Sequence, residues 1–441
     1  MTPIAQHPRQ QAGTVDVVVI GAGHAGLATS ALLGERGISH VLLERGAVAN
    51  AWRARRWASL RLLTPNHRTR LPGMAYDGPD PDGYMRAGEF VGFLERYAAA
   101  ARAPVVAGAN VTSVRREGAY YRVCSSRGDW RARAIVAASG ACAKASVPAL
   151  SHDVPRHIRQ LTPFDYRSPV DIARGGVLVV GASATGLQFA DELARAGHDV
   201  TLAVGEHVRL PRRYRGRNII DWMIDAGISD ERYDEVEDLQ RGRGLPSPQL
   251  VGDNDRAIFD LNAAAGNGVR LAGRLVGVRD GNAQFSGSLR NVCALADLKM
   301  RRLLSAIDAF IGDGADVPSP EAFDDTRIDT PPPLTLDLDR GGVRTILWAT
   351  GFRPDFSWLD VPVFDRKGRL SHDGGITDAP GLYVLGLPLM RRRKSSFIFG
   401  IEDDARDITN HLAGFLAGHD GRKDDGVHPD DTRERRYRRS A

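Results

Sequence analysis

The chain has 441 residues, 42% of them hydrophobic and 26% charged. That is the balance expected of a soluble protein with two or three domains and proper cores. The formal net charge is +5, but 59 Lys and Arg stand against 54 Asp and Glu, so nucleic acid is not an expected partner. No apolar run nears the roughly 18 residues of a membrane span, and Met1 to Gly13 has no apolar signal core. No membrane partner and a cytoplasmic location are therefore expected. Three cysteines, Cys124, Cys142 and Cys293, are far apart and show no metal-ligand spacing.

In chain order, residues 14–20 read as a strand, Ala25 to Arg36 as a helix ending at Gly37, and Ile38 to Leu43 as a strand ending at Glu44. This is one βαβ unit of about 30 residues. Residues 52–85 read as loops and short helices, and 88–101 as an amphipathic helix. Val105 to Val114, Tyr120 to Cys124 and Ala134 to Ala138 read as strands. A proline-rich connector, 141–175, leads into a second βαβ unit that runs through Gly197 to Val204. Helices are predicted at 219–226, 255–264 and 297–311, and the broad helical face of 219–264 is a candidate surface for a homo-oligomer. Residues 312–333 read as a linker closing on three prolines. Strands at Thr345 to Ala349 and Leu382 to Leu385 precede a last helix at Gly400 to Leu416.

Two glycine-rich turns carry the chemistry. Gly21, Ala22, Gly23, His24, Ala25 and Gly26 follow Val17-Val18-Val19-Ile20, matching G-x-G-x-x-G in full. The first glycine allows the tight turn, the second admits a pyrophosphate, and the third lets helix and strand pack closely. The pyrophosphate then sits on the helix N-terminus. Glu44 lies 23 residues after Gly21, where a carboxylate accepts hydrogen bonds from a ribose. The second turn, Gly181, Ala182, Ser183, Ala184, Thr185 and Gly186, begins 160 residues after the first. Its offset of 23 falls on Val204 instead of an acid. Arg209 and Arg212 lie just beyond, and an arginine fork there would favour a 2′-phosphate, hence NADPH over NADH. Two such turns imply two cofactors side by side and electron transfer between them.

Flavin is indicated by strand ends with small residues: Ala138-Ser139-Gly140, Ala349-Thr350-Gly351 and Leu385-Gly386. Such turns stand where a chain crosses between two dinucleotide domains. A helix starting near Gly400 would place its N-terminus at an anionic ring. The expected fold is α/β with two Rossmann-like dinucleotide-binding domains, the NADPH domain (166–333) inserted into a discontinuous FAD domain (14–165 and 334–418). Residues 1–13 and 419–441 are expected to be disordered.

These segments resemble the class B flavin-dependent monooxygenases, in particular their YUCCA-like branch, from about residue 15 to 415. The resemblance rests on Trp57-Ala58-Ser59-Leu60-Arg61-Leu62 with Pro65 and Leu71-Pro72. It rests also on His207-Val208-Arg209-Leu210-Pro211-Arg212 with Gly216, on Ala349-Thr350-Gly351-Phe352 with Trp358-Leu359, and on Gly381-Leu382-Tyr383-Val384-Leu385-Gly386. It implies FAD in the first domain and NADPH in the second. It further implies a flavin reduced by NADPH that reacts with O2, and a C4a-(hydro)peroxide that inserts one oxygen atom into a small organic substrate. Beyond the two glycine turns, the candidate cofactor contacts are Glu44, Arg45, Trp52, Arg53, Leu62, Thr64, Val106, Gly140, Arg209, Arg212, Thr350, Gly351 and Gly386. No side chain is singled out as an acid or base, and no metal is expected.

The chain departs from the family in two places. Of the signature F-x-G-x-x-x-H-x-x-x-(Y/F), aligned to Arg156, Ile158, Thr162 and Tyr166, only the aromatic residue survives. Leu63 also stands where classical members have an asparagine. Three other readings compete. A disulfide reductase needs a cysteine pair that the sequence lacks. An NADPH-dependent reductase would pass electrons to a quinone or protein acceptor. A redox-sensing flavoprotein would carry a damaged nicotinamide site.

Overall fold

The computed structural model describes residues 13–312, 316–328, 331–340 and 342–420. Apart from Gly13, which opens the first strand, and residues 419–420, which end the last helix, the segments expected to be disordered lie outside the described residues.

Two sheets organise the chain. In the first, the strands run in the order Leu359–Asp360, Val111–Glu117, Tyr120–Ser125, Gly128–Ala137, Gly13–Ile20, His40–Glu44 and Val105–Ala107, and Leu382–Val384 also pairs with Gly128–Ala137. Its centre is parallel, with Ile20 beside Leu43 on one side and beside Ala137 on the other. Val17, Val18 and Val19 are wholly buried, as a strand covered on both faces must be. Helix His24–Glu35 packs against the last helix, Ile401–Asp420, on one face.

The second sheet is parallel throughout, in the order Arg159–Leu161, Val343–Trp348, Gly176–Val180, Val200–Ala203 and Arg270–Ala272. Two strands therefore fall on the other side of the expected boundaries at 165/166 and 333/334. Arg159–Leu161 and Val343–Trp348 were expected in the first unit, but both pair within the second sheet. The cause is the one rule that periodicity does not reveal: a buried parallel strand needs partners on both sides, and Gly176–Val180 takes Val343–Trp348 as one of them. The chain crosses between the sheets twice, and the two crossings run side by side as an antiparallel pair, Lys144–Ala145 with Phe352–Arg353.

Most expected elements are found within a few residues. The expected strand 105–114 is broken in two, at Val105–Ala107 and Val111–Glu117. The expected face of 219–264 is instead three short helices, Ile219–Asp225, Leu239–Arg243 and Leu261–Gly266, with a 3-10 turn at Ile228–Asp230 and a strand at Pro248–Gln249 between them.

Candidate functional site

Both glycine turns are built alike. Gly21 has φ +107° and Gly181 has φ +105°, a region that favours glycine. A Cβ on Gly26 would lie 1.9 Å from the Gly21 carbonyl oxygen, and one on Gly186 would lie 1.8 Å from that of Gly181. Each helix thus packs onto its strand as closely as only hydrogen allows. At Gly23, by contrast, a Cβ would meet nothing within 4 Å. The chain leaves open space there, in front of the N-terminus of His24–Glu35, where free N–H groups suit a phosphate.

Around the first turn the sequence-predicted residues converge. Glu44 is buried; its Oε2 accepts from the Ala22 N–H (2.9 Å) and its Oε1 from the Gly46 N–H (3.1 Å). A carboxylate has about four acceptor positions, so two bonds leave capacity for a ligand hydroxyl. Val106 lies on the edge strand next to Leu43. Ala138 meets Gly21, since a Cβ there would fall 2.6 Å from the Ala138 carbonyl oxygen, and Gly140 follows two residues on. Gly386 meets the same helix start: its Cβ position is 3.1 Å from that of Ala25. His24 keeps some surface, yet its Nε2 is sheltered and has no partner among the described residues. Burial pushes its pKa down to about 4, so the ring is neutral and one nitrogen is an unmet acceptor or donor. Arg45 is exposed.

Trp52 packs partly against the cores of both units and meets Phe90 edge-on at 4.8 Å. Trp57 fills the second core against Phe189 at 4.8 Å. Arg53 is held by Glu95 at 2.5 Å on the surface. Leu62 is buried in the first core and Thr64 is buried beside it. Asn66 donates from Nδ2 to the Asp80 carbonyl (2.9 Å) and accepts from the Met85 N–H (2.7 Å), so it pins the loop.

Two expectations are corrected, the arginine fork and the free N-terminus of the last helix. Arg209 is 2% exposed, held by Asp260 at 2.6 Å and Asp297 at 2.7 Å, and it also donates to the Asp324 carbonyl at 2.7 Å. One cation between two buried carboxylates is a negative environment and repels a phosphate. Arg212, equally buried, donates to the backbone carbonyls of Leu63 (2.7 Å) and Val251 and lies over the Tyr84 ring. Neither forms a phosphate fork. Thr350 and Gly351 follow a strand of the second sheet: a Cβ on Gly181 would be 2.4 Å from the Ala349 carbonyl oxygen. Thr350 Oγ1 donates to the Ser146 carbonyl at the crossing. Finally, the last helix begins with Glu402, Asp403 and Asp404. Its dipole is already matched by its own carboxylates.

The sequence did not single out what backs the second turn. Gln249 is fully buried; its Nε2 donates to the Ala182 carbonyl (2.7 Å), and its Oε1 has no partner among the described residues. The long-range pairing of Val208–Arg209 with Pro248–Gln249 and the Gln188 bond to the Leu250 carbonyl (2.7 Å) bring it there, and no local pattern announces such ties. Tyr166, the surviving signature aromatic, is core packing against Phe189 at 4.3 Å. The two units touch where Ser59 donates to Glu192 (3.1 Å) and where Tyr84 meets Asn218 (2.8 Å) and Asn254 (3.1 Å).

A family model described as pyridine nucleotide-disulphide oxidoreductase matches residues 18–225. An uncharacterized CzcO-like oxidoreductase of Geobacillus kaustophilus is 29% identical over 404 residues, which cover 90% of this chain and 99% of that protein. Indole-3-pyruvate monooxygenase YUCCA4 of Oryza sativa subsp. japonica is 30% identical over 308 residues, covering 62% of this chain and 67% of that one. Among solved structures, a flavin-containing monooxygenase from Stenotrophomonas maltophilia is similar in fold. Its TM-score is 0.65 at 19% identity, over 92% of this chain and 99% of that one.

Proposed function

Given that the chain belongs to the class B flavin-dependent monooxygenase family, we propose that it inserts one oxygen atom from O2 into a small organic substrate at the expense of NADPH. It is an oxidoreductase whose cofactors are FAD and NADPH. In our reading the FAD unit is built from both ends of the chain and the NADPH unit is inserted between them. The division of strands between the two sheets supports this arrangement.

The residues at each turn fit the groups they would hold. The open face of Gly23, the helix start at His24 and Ala25, and the spare acceptor capacity of Glu44 fit the pyrophosphate and ribose of FAD. Arg45, Trp52, Arg53, Leu62, Thr64, Val106, Gly140 and Gly386 are proposed to complete that site. The helix start at Ala184, with Ser183, Thr185 and the close packing of Gly186, fits NADPH. Thr350 and Gly351, next to Gly181, line the passage from one unit to the other.

When bound, NADPH supplies a hydride and FAD accepts it and activates oxygen. The chain's own part is binding, orientation and exclusion of water. Arg212 ties the 62–64 loop to Val251 through two backbone carbonyls, and Tyr84, beside Met85 whose carbonyl accepts from the Leu62 N–H (2.9 Å), bonds to Asn218 and Asn254. This stitching joins the two units at that loop. No titrating side chain is assigned a proton-transfer step.

The observation that carries the reading is the pair of equivalent turns in one chain, joined by the paired crossings. The test is the fate of oxygen. With 18O2, NADPH and a panel of small amines, thioethers and 2-oxo acids, at least one compound should gain a single 18O atom while the hydrogen peroxide yield falls. If no compound is labelled and a quinone or ferredoxin takes the electrons rapidly, the protein is a reductase instead.

A further inference from the structure

We propose that Arg274 is the residue that binds the 2′-phosphate of NADPH and so sets the preference over NADH. The proposal rests on the reading of the second unit as the nicotinamide dinucleotide site.

In a parallel α/β sheet the ligand lies outside the carboxyl ends of the strands, and the adenosine ribose is met at the end of the strand next to the glycine turn. Here that strand is Val200–Ala203. Its outer neighbour is Arg270–Ala272, in register with Ala203 opposite Ala272. Two residues past each strand stand Gly205 and Arg274. The Arg274 Cγ is 3.9 Å from where a Cβ on Gly205 would be. The arginine therefore crosses beside the ribose position without being adjacent to it in sequence.

The backbone on both sides is fixed. The Val204 N–H donates to the Ala272 carbonyl (2.9 Å), and the Ser286 N–H donates to the Arg274 carbonyl (2.8 Å). His207 Nδ1 donates to the Gly205 carbonyl at 3.0 Å. The side chain of Arg274 is exposed and has no ion pair or hydrogen bond with any described residue. Burying or neutralising it would cost nothing that the fold already uses. Glu206, the residue after Gly205, is countered by Lys299 at 3.1 Å. Val204, at the position where the first unit has Glu44, is fully buried and carries no charge. A guanidinium fork suits a phosphate dianion in both geometry and charge, and Arg209 and Arg212, the arginines first expected in that role, are committed to buried partners.

The test is equilibrium binding to the FAD-loaded protein by calorimetry, with NADP+ and NAD+, and with 2′,5′-ADP and 5′-AMP as probes of the adenosine half alone. Arg274→Ala should weaken NADP+ and 2′,5′-ADP by about ten- to a hundredfold and leave NAD+ and 5′-AMP within about twofold. Arg274→Lys should lose less, since it keeps the charge without the fork. Retained flavin and an unchanged melting temperature verify that each variant is folded. The proposal is overturned if Arg274→Ala weakens the phosphorylated and unphosphorylated ligands equally, or neither. It is also overturned if the unmodified protein binds NAD+ as tightly as NADP+, an outcome that leaves the nicotinamide site itself standing. If none of the four ligands binds, the reading of the second unit falls and the proposal falls with it.

Discussion

At the first turn, the strand end next to the glycines delivers Glu44, whose carboxylate bonds back to the Ala22 N–H at 2.9 Å. At the second, the equivalent strand end delivers Val204, buried and uncharged. The glycines themselves are interchangeable: the Cβ clearances at Gly26 and Gly186 differ by a tenth of an ångström, 1.9 against 1.8 Å. The backbone that receives a pyrophosphate is thus common to both units, while the discrimination between dinucleotides lies in side chains that reach the ribose from the neighbouring strands. Gly23 against Ser183 makes the same point on a smaller scale, since both precede a helix of 12 residues with the same extended backbone.

The largest expected effects break the common part. Gly26→Ala and Gly186→Ala each drive a methyl group into a carbonyl oxygen, and overpacking of this kind costs about 1–3 kcal/mol or more. Gly26→Ala should give protein purified without flavin. Gly186→Ala should keep its flavin and lose NADP+ binding. Absorbance spectra and calorimetry on both variants separate the two units, and a variant pair that lost both cofactors together would erase the distinction between them.

Next comes Arg209→Ala. Removing one partner of a buried ion pair costs about 3–5 kcal/mol, and here Asp260 and Asp297 would be left facing each other. The melting temperature should drop markedly while the ratio of NADP+ to NAD+ affinity stays unchanged. A change in that ratio would return Arg209 to the phosphate site. Glu44→Ala is smaller: it removes charge-assisted bonds worth about 1.5–3 kcal/mol and should raise the dissociation constant of FAD by about tenfold or more, with NADP+ binding unaffected.

The smallest effect is one of pH. His24 has a pKa of about 4 in the folded chain and about 6.5 when unfolded. Between those values the unfolded chain binds a proton that the folded chain does not. Stability therefore falls as the pH drops from 6.5 towards 4, with a slope from this group of at most about 1.4 kcal/mol per pH unit. Flavin-free protein with His24→Gln should lose part of that acid sensitivity in urea unfolding. An unchanged slope would mean that the ring is solvated after all.

Much of this was legible in the sequence because it is local. Each glycine turn, its preceding strand, its following helix and Glu44 fall within one βαβ unit, and period and spacing declare them. The crossings near Gly140 and Thr350 were also marked by their small residues. What was hidden is long-range. Val343–Trp348 reads like any apolar strand, and only its pairing with Gly176–Val180 moves it to the second sheet. Arg209 and Arg212 looked like a phosphate fork because a basic cluster reads as exposed; Asp260 and Asp297, 51 and 88 residues away, bury the first of them. Arg274 carries no local signal because Arg270–Ala272 is only three residues long, too short for a period to register.

The central claim is that one chain holds FAD and NADPH together so that hydride passes directly between them. Its most direct test is anaerobic mixing of the FAD-loaded protein with NADPH deuterated in turn at each C4 position. The account predicts that the visible flavin absorbance is bleached, and that deuterium slows the bleaching at one position only. Flavin that stays oxidised in the presence of bound NADPH would contradict it.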